Sequence, residues 1–305
     1  MLPLAALPLI VIARPRDRSW ALRHAVLLLS LCLPAALAAL FAAKRVIASS
    51  YEPSVGDIIA QTQGLDILGH AVGIWPASMA LQARAFFLYI YYWIVPDVRY
   101  LSVDMRIDFA SVLHSPQIIF EGVAFLVMPF IGLACLAQGR SKALFGCGLL
   151  LSWILFLPEL SAVRLQEPFV LYRSYLWAPG FAIMLVAVLH RLDWKPVLVA
   201  LLVLIPVEIS LARNRLQSLS SESAVWEDAA AKLASPAIPG ADRIYFNRGT
   251  ERGKRGDLDA AMVDFDKVVA LNPASFHGYF GRGVIYLQGR QFARALEEFN
   301  QGYSA

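Results

Sequence analysis

Residues 256–273 read GDLDAAMVDFDKVVALNP, a regular, polar helix signal that opens behind Gly-Asp and stops at Asn-Pro. It stands in a chain that is otherwise mostly Leu, Ala, Val and Phe. Of 305 residues, 58% are apolar and only 16% charged, beyond the usual composition of a soluble domain of this size. The chain is therefore expected to be a polytopic membrane protein that carries a polar helical appendage. Its formal charge of +4 does not point to nucleic acid, because Lys and Arg flank apolar runs in small clusters instead of forming a basic stripe with stacking aromatics. Cys32, Cys135 and Cys147 all lie inside apolar runs without metal-type spacing, which excludes a disulfide framework or a zinc site as the organising feature.

Outward from the quoted stretch, the sequence matches itself. Tyr245 and Tyr279, Gly249 and Gly283, Ala261 and Ala295, and Phe265 and Phe299 are each 34 residues apart, and Pro273 follows the second helix. That period, with small residues where two helices cross, resembles the tetratricopeptide repeat, whose stacked helix pairs form a solenoid that grips a peptide or extended segment. Residues 241–305 are thus expected to hold two such repeats, and 213–240 a Ser-rich linker with one amphipathic helix around Trp226, a candidate N-terminal cap. Two repeats are fewer than the roughly three that stand alone, so the array is expected to be incomplete or completed by a partner.

Upstream, residues 1–212 contain apolar runs at 25–43, 85–95, 118–136, 143–157, 176–189 and 196–212. The opening MLPLAALPLIVIA has its charges behind it instead of in front, the reverse of a secretory signal, and reads as the second half of a helix whose upstream part is missing or, alternatively, as a short interfacial helix. Basic segments before residue 25, at 139–142 and at 190–195 are short and positive, which predicts the cytoplasmic side. With all three inside, the run at 85–95 does not span alone. Its Tyr89, Tyr91, Tyr92 and Trp93 suggest an interfacial or re-entrant helix on the outer face. The last membrane helix then runs outward, and the repeats follow it outside the cytoplasm.

The fold class expected is all-α: polytopic membrane helices followed by an extracytoplasmic helical solenoid. In that order, three segments resemble the bacterial relatives of the transmembrane and tetratricopeptide repeat O-mannosyltransferases, polytopic glycosyltransferases of the GT-C architecture. In RYLSVDMR and the residues before it, Pro96, Leu101, Ser102 and Asp104 match. In LPELSAVRLQEPFVLYRSYLWAPG, Pro158, Arg173, Tyr175, Leu176 and Gly180 match, whereas Leu171 and Trp177 depart from the family's Glu and Pro. WEDAAAKLASP followed by YFNRG is similar to the junction with the first repeat. The early acidic loop that carries catalysis in the family has no counterpart here.

The resemblance implies a sugar donor on a polyprenyl phosphate and an acceptor hydroxyl outside the cytoplasm. It also implies a bacterial inner membrane with a periplasmic C-terminus, membrane lipids as partners and a protein or peptide on the repeats. Such chemistry needs a carboxylate base and cations for the departing phosphate. Asp97, Arg99, Asp104, Arg106, Glu159, Arg164 and Arg173 are the outer-loop candidates, with Arg173 foremost because a planar guanidinium fork suits phosphate oxygens at a helix entrance. No other cofactor, no metal and no nucleic acid is expected. The alternative from another class is a membrane-anchored scaffold that catalyses nothing.

Overall fold

The computed structural model describes residues 66–305 except 96, 100, 166–168 and 191, together with scattered positions between 19 and 34. The expected apolar stretch at 1–13, most of the run at 25–43, Cys32 and Pro96 lie outside the described residues. The described chain is overwhelmingly helical. It divides into two compact units: one takes the chain up to Val95 together with Phe109–Ile205, the other Pro96–Asp108 together with Pro206–Ala305.

In the first unit a two-stranded antiparallel ribbon, β1 (Asp66–Ile67) and β2 (His70–Ala71), precedes α1 (Ile74–Ile94). Then come α2 (Phe109–His114), α3 (Gln117–Ala137), α4 (Arg140–Phe156), two 3-10 turns (Leu157–Ser161 and Leu171–Leu176), and α5 (Ala178–Leu189). Helix α6 (Trp194–Ser218) begins in this unit. Three segments among the described residues are long and apolar enough to cross a membrane: Gln117–Ala137, Arg140–Ser161 and Trp194–Ser218. The first and third are largely exposed along their apolar length, as a lipid environment requires and water would penalise, whereas half of Arg140–Ser161 is buried among its neighbours.

These helices approach through glycines. A Cβ on Gly148 of α4 would come within 2.5 Å of the Gly180 carbonyl oxygen on α5, and Gly146 and Gly132 face each other across α3 and α4 in the same way. In an apolar solvent there is no hydrophobic drive between helices, so close backbone approach supplies the packing. The crossings give α3, α4 and α5 an up-and-down order, and Ser141 Oγ at the start of α4 lies 2.8 Å from His190 Nε2 at the end of α5. The two basic turns, 139–142 and 190–195, therefore share one end of this helix pair.

Helix α1 begins at Ile74, well before the expected apolar run at 85, and contains Arg84, Gln82 and Ser78. Its aromatics do not act as one interfacial group. Tyr91 is exposed, but Tyr89 is buried against Phe169, Phe156 and Trp177, because 78, 82, 86, 89 and 93 fall on the helix face that meets the α4–α5 connection. Glu121, near the start of α3, accepts through both oxygens from Arg84 Nη1 on α1, at 3.0 and 3.1 Å.

The second unit contains α7 (Glu222–Ala231), α8 (Ala241–Lys254), α9 (Leu258–Leu271), α10 (Phe276–Gln288) and α11 (Phe292–Ser304), each packed on its neighbour. Ser221, Asp257 and Ser275 cap α7, α9 and α10, their side chains accepting from Ala224, Ala260 and His277 N–H. The quoted stretch is α9 with its cap and its stop. The loop 97–108, read from sequence as an outer loop of the membrane part, belongs to this second unit.

Candidate functional site

Three groupings collect the residues that the sequence singled out. The first lies in the connection between α4 and α5, at the end of that helix pair away from the two basic turns. Glu159, on the 3-10 turn that prolongs α4, forms an ion pair with Arg164, and Arg173 Nη1 stands 3.9 Å from the same Glu159 oxygen. All three side chains are largely buried. Arg164 and Arg173 thus share the Glu159 carboxylate in a partly dehydrated place, where charge-assisted bonds are strong.

Helix α1 holds this connection in position. Ser78 Oγ accepts from the Arg164 N–H at 2.9 Å, the Tyr89 hydroxyl both donates to the Val170 carbonyl (3.0 Å) and accepts from the Val170 N–H (2.9 Å), and Trp93 Nε1 donates to Ser174 Oγ at 3.2 Å. From the far side Ser152 Oγ donates to the Trp177 carbonyl at 3.0 Å. Serine, tyrosine and tryptophan thereby fix the backbone on both sides of Arg173. None of these clamps was named from sequence.

The second grouping is the loop 97–106. Arg99 grips Asp97 through Nε (2.9 Å) and Nη2 (2.7 Å), and that bonding holds the Asp97 carboxyl below the usual carboxylate range. Asp104 and Arg106 pair at 2.6 Å with both side chains buried, and Arg243 Nε of α8 lies 3.7 Å from Asp104. The Leu101 carbonyl accepts from Arg215 Nη1 (2.7 Å) and Lys232 Nζ (2.8 Å), and both cations also pair with Asp228. Hydrogen bonds from these two cations to the Leu101 carbonyl fasten the loop to α6 and to the end of α7. Asp104 and Arg99 thus lie in a different unit from Glu159, Arg164 and Arg173, and the structure assembles the five candidates as two groups.

In neither group is a carboxylate presented to an open site. Asp97, Asp104 and Glu159 each face guanidinium nitrogens, so an acceptor hydroxyl could reach them only by displacing a cation. Among the described residues no three His, Cys, Asp or Glu side chains converge.

The third grouping is the pair of helix pairs α8–α9 and α10–α11, which repeat in detail at an offset of 34. Gly249 faces the Phe265 ring, and Gly283 faces Phe299. Arg248 Nη2 bonds Asp264 at 2.6 Å, and Arg282 Nη2 bonds Glu298 at 2.7 Å. Arg248 lies over the Tyr245 ring at 5.4 Å, and Arg282 over Tyr279 at 5.3 Å. The turns match as well: Asp257 N–H donates to the Arg252 carbonyl, and Gln291 N–H to that of Tyr286. Ala261 and Ala295 are both buried where the helices cross, and Pro273 follows α9.

Beyond the matched apolar positions, sequence reasoning missed the charged centre of the first pair. Asp264 is fully buried and takes Arg248 and Arg252, which also bond Glu227 of α7. Burial alone would lower the Arg248 pKa, but the bonds to Asp264 outweigh it and hold the guanidinium above its ordinary value. The signal that could have found it was the recurrence of Arg before Gly and acid before Phe at 248/264 and 282/298. No family model matches this chain, and comparison with the curated proteins and with the solved structures likewise returned no match.

Proposed function

We propose that this chain is a membrane-anchored binding protein whose residues 241–305 are two tetratricopeptide-type helix pairs that hold a protein or peptide partner outside the cytoplasm. The observation that carries this reading is the duplication of contacts at an offset of 34. Glycine-on-ring, arginine-on-acid and arginine-over-tyrosine recur together, and stacked pairs of that kind are built for binding. The orientation rests on charge: the basic turns 139–142 and 190–195 share one end of α4–α5, which the positive-inside rule assigns to the cytoplasm. Helix α6 then leaves the membrane outward. A bacterial inner membrane with a periplasmic C-terminus is the setting proposed with it.

A second reading is favoured by the cluster of Glu159, Arg164 and Arg173. The planar guanidiniums of Arg164 and Arg173 beside a helix entrance suit the phosphate of a polyprenyl-phosphate sugar, as the resemblance to O-mannosyltransferases implies, and the chain would then be part of a membrane glycosyltransferase. Among the described candidates Asp97, Asp104 and Glu159 each face guanidinium nitrogens, and binding without turnover is the primary reading.

The test is made on the full chain. A periplasmic reporter fused after Ala305 is expected to be active, and activity from a cytoplasmic reporter alone overturns the orientation. In nanodiscs supplied with a polyprenyl-phosphate sugar and an acceptor peptide, peptide binding without sugar transfer is expected. Transfer that Arg173→Ala abolishes would establish the second reading in its place.

A further inference from the structure

A crevice opens in the first unit where α5 gives way to α6. Val186 and Leu189 of α5, with Trp194, Val197, Leu198 and Leu201 of α6, line a cavity of about 510 Å³, a volume in the range of ligand sites. Apart from the His190 ring and the Trp194 indole, the lining is hydrocarbon. Helix α6 is one of the segments able to cross a membrane, and protein buries none of its apolar stretch. In a bilayer, such a crevice takes the tail of a lipid without stranding any polar group.

The mouth of the crevice lies where the two basic turns meet. A backbone carbonyl can only accept, so His190 Nδ1 donates to the Ala187 carbonyl at 3.0 Å, and Nε2 accepts from Ser141 Oγ at 2.8 Å. The neutral ring ties the start of α4 to the end of α5, which brings Arg140 and Lys142 to the same end as Lys195, in the first turn of α6. All three cations are exposed, and the turns 139–142 and 190–195 contain a single carboxylate, Asp193. Lys142 Nζ donates to the neutral Gln138 amide oxygen at 2.6 Å and so keeps its charge available. Trp194, 68% exposed beside Lys195, supplies the amphipathic ring that marks the headgroup level. An apolar crevice thus ends at headgroup level among cations.

We propose that this crevice binds an anionic phospholipid, with one acyl chain between α5 and α6 and the phosphate held at the mouth by Arg140, Lys142 and Lys195. Charge complementarity decides the occupant. A zwitterionic lipid offers the same tail but brings a cation of its own to a cationic mouth, whereas basic pockets between membrane helices select anionic headgroups. The site goes beyond partner binding on the repeats and rests on α5 and α6 lying in a membrane. Both faces of a nanodisc present the same lipids, so the test below stands or falls apart from the orientation and peptide-binding tests above.

The full chain is reconstituted in nanodiscs of phosphatidylcholine and phosphatidylglycerol in equal parts, and native mass spectrometry of the released protein identifies the lipid retained. Phosphatidylglycerol is expected in preference, and Lys142→Gln with Lys195→Gln is expected to weaken that preference about ten-fold. Leu198→Trp, which fills the crevice, is expected to lower phosphatidylglycerol retention to a similar degree. Unchanged amide exchange in α4 and α5 verifies the fold, and Leu201→Phe serves in place of Leu198→Trp where that exchange changes. Equal retention of the two lipids, or a preference that the charge changes do not move, overturns the proposal. Retention that survives filling of the crevice, or displacement by added glycerol phosphate, the free headgroup, would make the basic turns a plain phosphate site and overturn the acyl-chain seat.

Discussion

The pair α8–α9 and the pair α10–α11 have nearly the same contact plan but unequal support. The first is flanked on both sides, by α7 and by α10, and it centres on a fully buried carboxylate shared by two arginines. In the second, Glu298 is more accessible and pairs, among the described residues, with Arg282, which reaches Asp266 as well. Identical local chemistry thus acquires different energetic weight from its neighbours. Burial raises both the strength of a charged contact and the cost of breaking it.

The largest expected effect follows directly. Asp264→Ala leaves Arg248 and Arg252 with only the half-exposed Glu227 between them and is expected to cost about 3–5 kcal/mol of local stability, as when one partner of a buried ion pair is removed. Glu298→Ala is expected to cost about 1 kcal/mol, nearer the range of exposed pairs. Amide exchange of the full chain, read helix by helix, measures both. Equal losses would break the comparison, since they would mean that burial does not set the weight of the contact.

A smaller effect appears only at high pH. Burial pushes the Tyr245 phenol up, the Asp264 charge adds to this, and Arg248 opposes it. A folded-state pKa above the unfolded one favours the neutral phenol in the fold. Its stabilising contribution is therefore complete below the ordinary tyrosine value near 10 and is lost as pH rises through the folded value. Tyr245→Phe is expected to move the alkaline loss of α8–α9 protection to higher pH, with little change at pH 7. An unmoved alkaline limb would show that some other group governs it.

How much of this was legible in the sequence depends on whether a residue's partner is periodic. Phe265 and Phe299, or Gly249 and Gly283, could be paired by counting, because a repeat displays its own packing twice. Asp264 reads as a solvent residue on a polar helix face, and only the superposition of the two pairs reveals it as central. In the membrane unit there is no repeat to count. Gly148 and Gly180 meet across helices without any spacing rule to announce it, and Tyr89 looks no different from its exposed neighbour Tyr91 until the α4–α5 connection is laid against α1. Glu159, Arg164 and Arg173 could be named singly as loop charges; that they converge is a fact of the turns. The loop 97–106 was placed with the wrong neighbours because its anchor, the Leu101 carbonyl, is a backbone atom with no side-chain signature.

The smallest expected effect comes from the turns that close the two pairs. In the first, Gly256 takes the left-handed conformation (φ +84°) and Asp257 caps α9; in the second, Arg290 is held at φ +56° and Gln291 provides no side-chain cap to α11. An L-residue with a side chain pays about 1–2 kcal/mol for that conformation, but glycine loses about 0.5–1 kcal/mol of chain entropy on folding, so Arg290→Gly nets a few tenths to about 1 kcal/mol. Gln291→Asp adds a cap worth about 1 kcal/mol, less what is lost where Gln291 now accepts from Arg294. Grafting Gly-Asp onto residues 290–291 is therefore expected to slow amide exchange in α11 while leaving α8 and α9 unchanged. If α11 gains nothing, the conformation at Arg290 and the missing cap do not limit its protection, and the difference between the pairs lies in their charged centres.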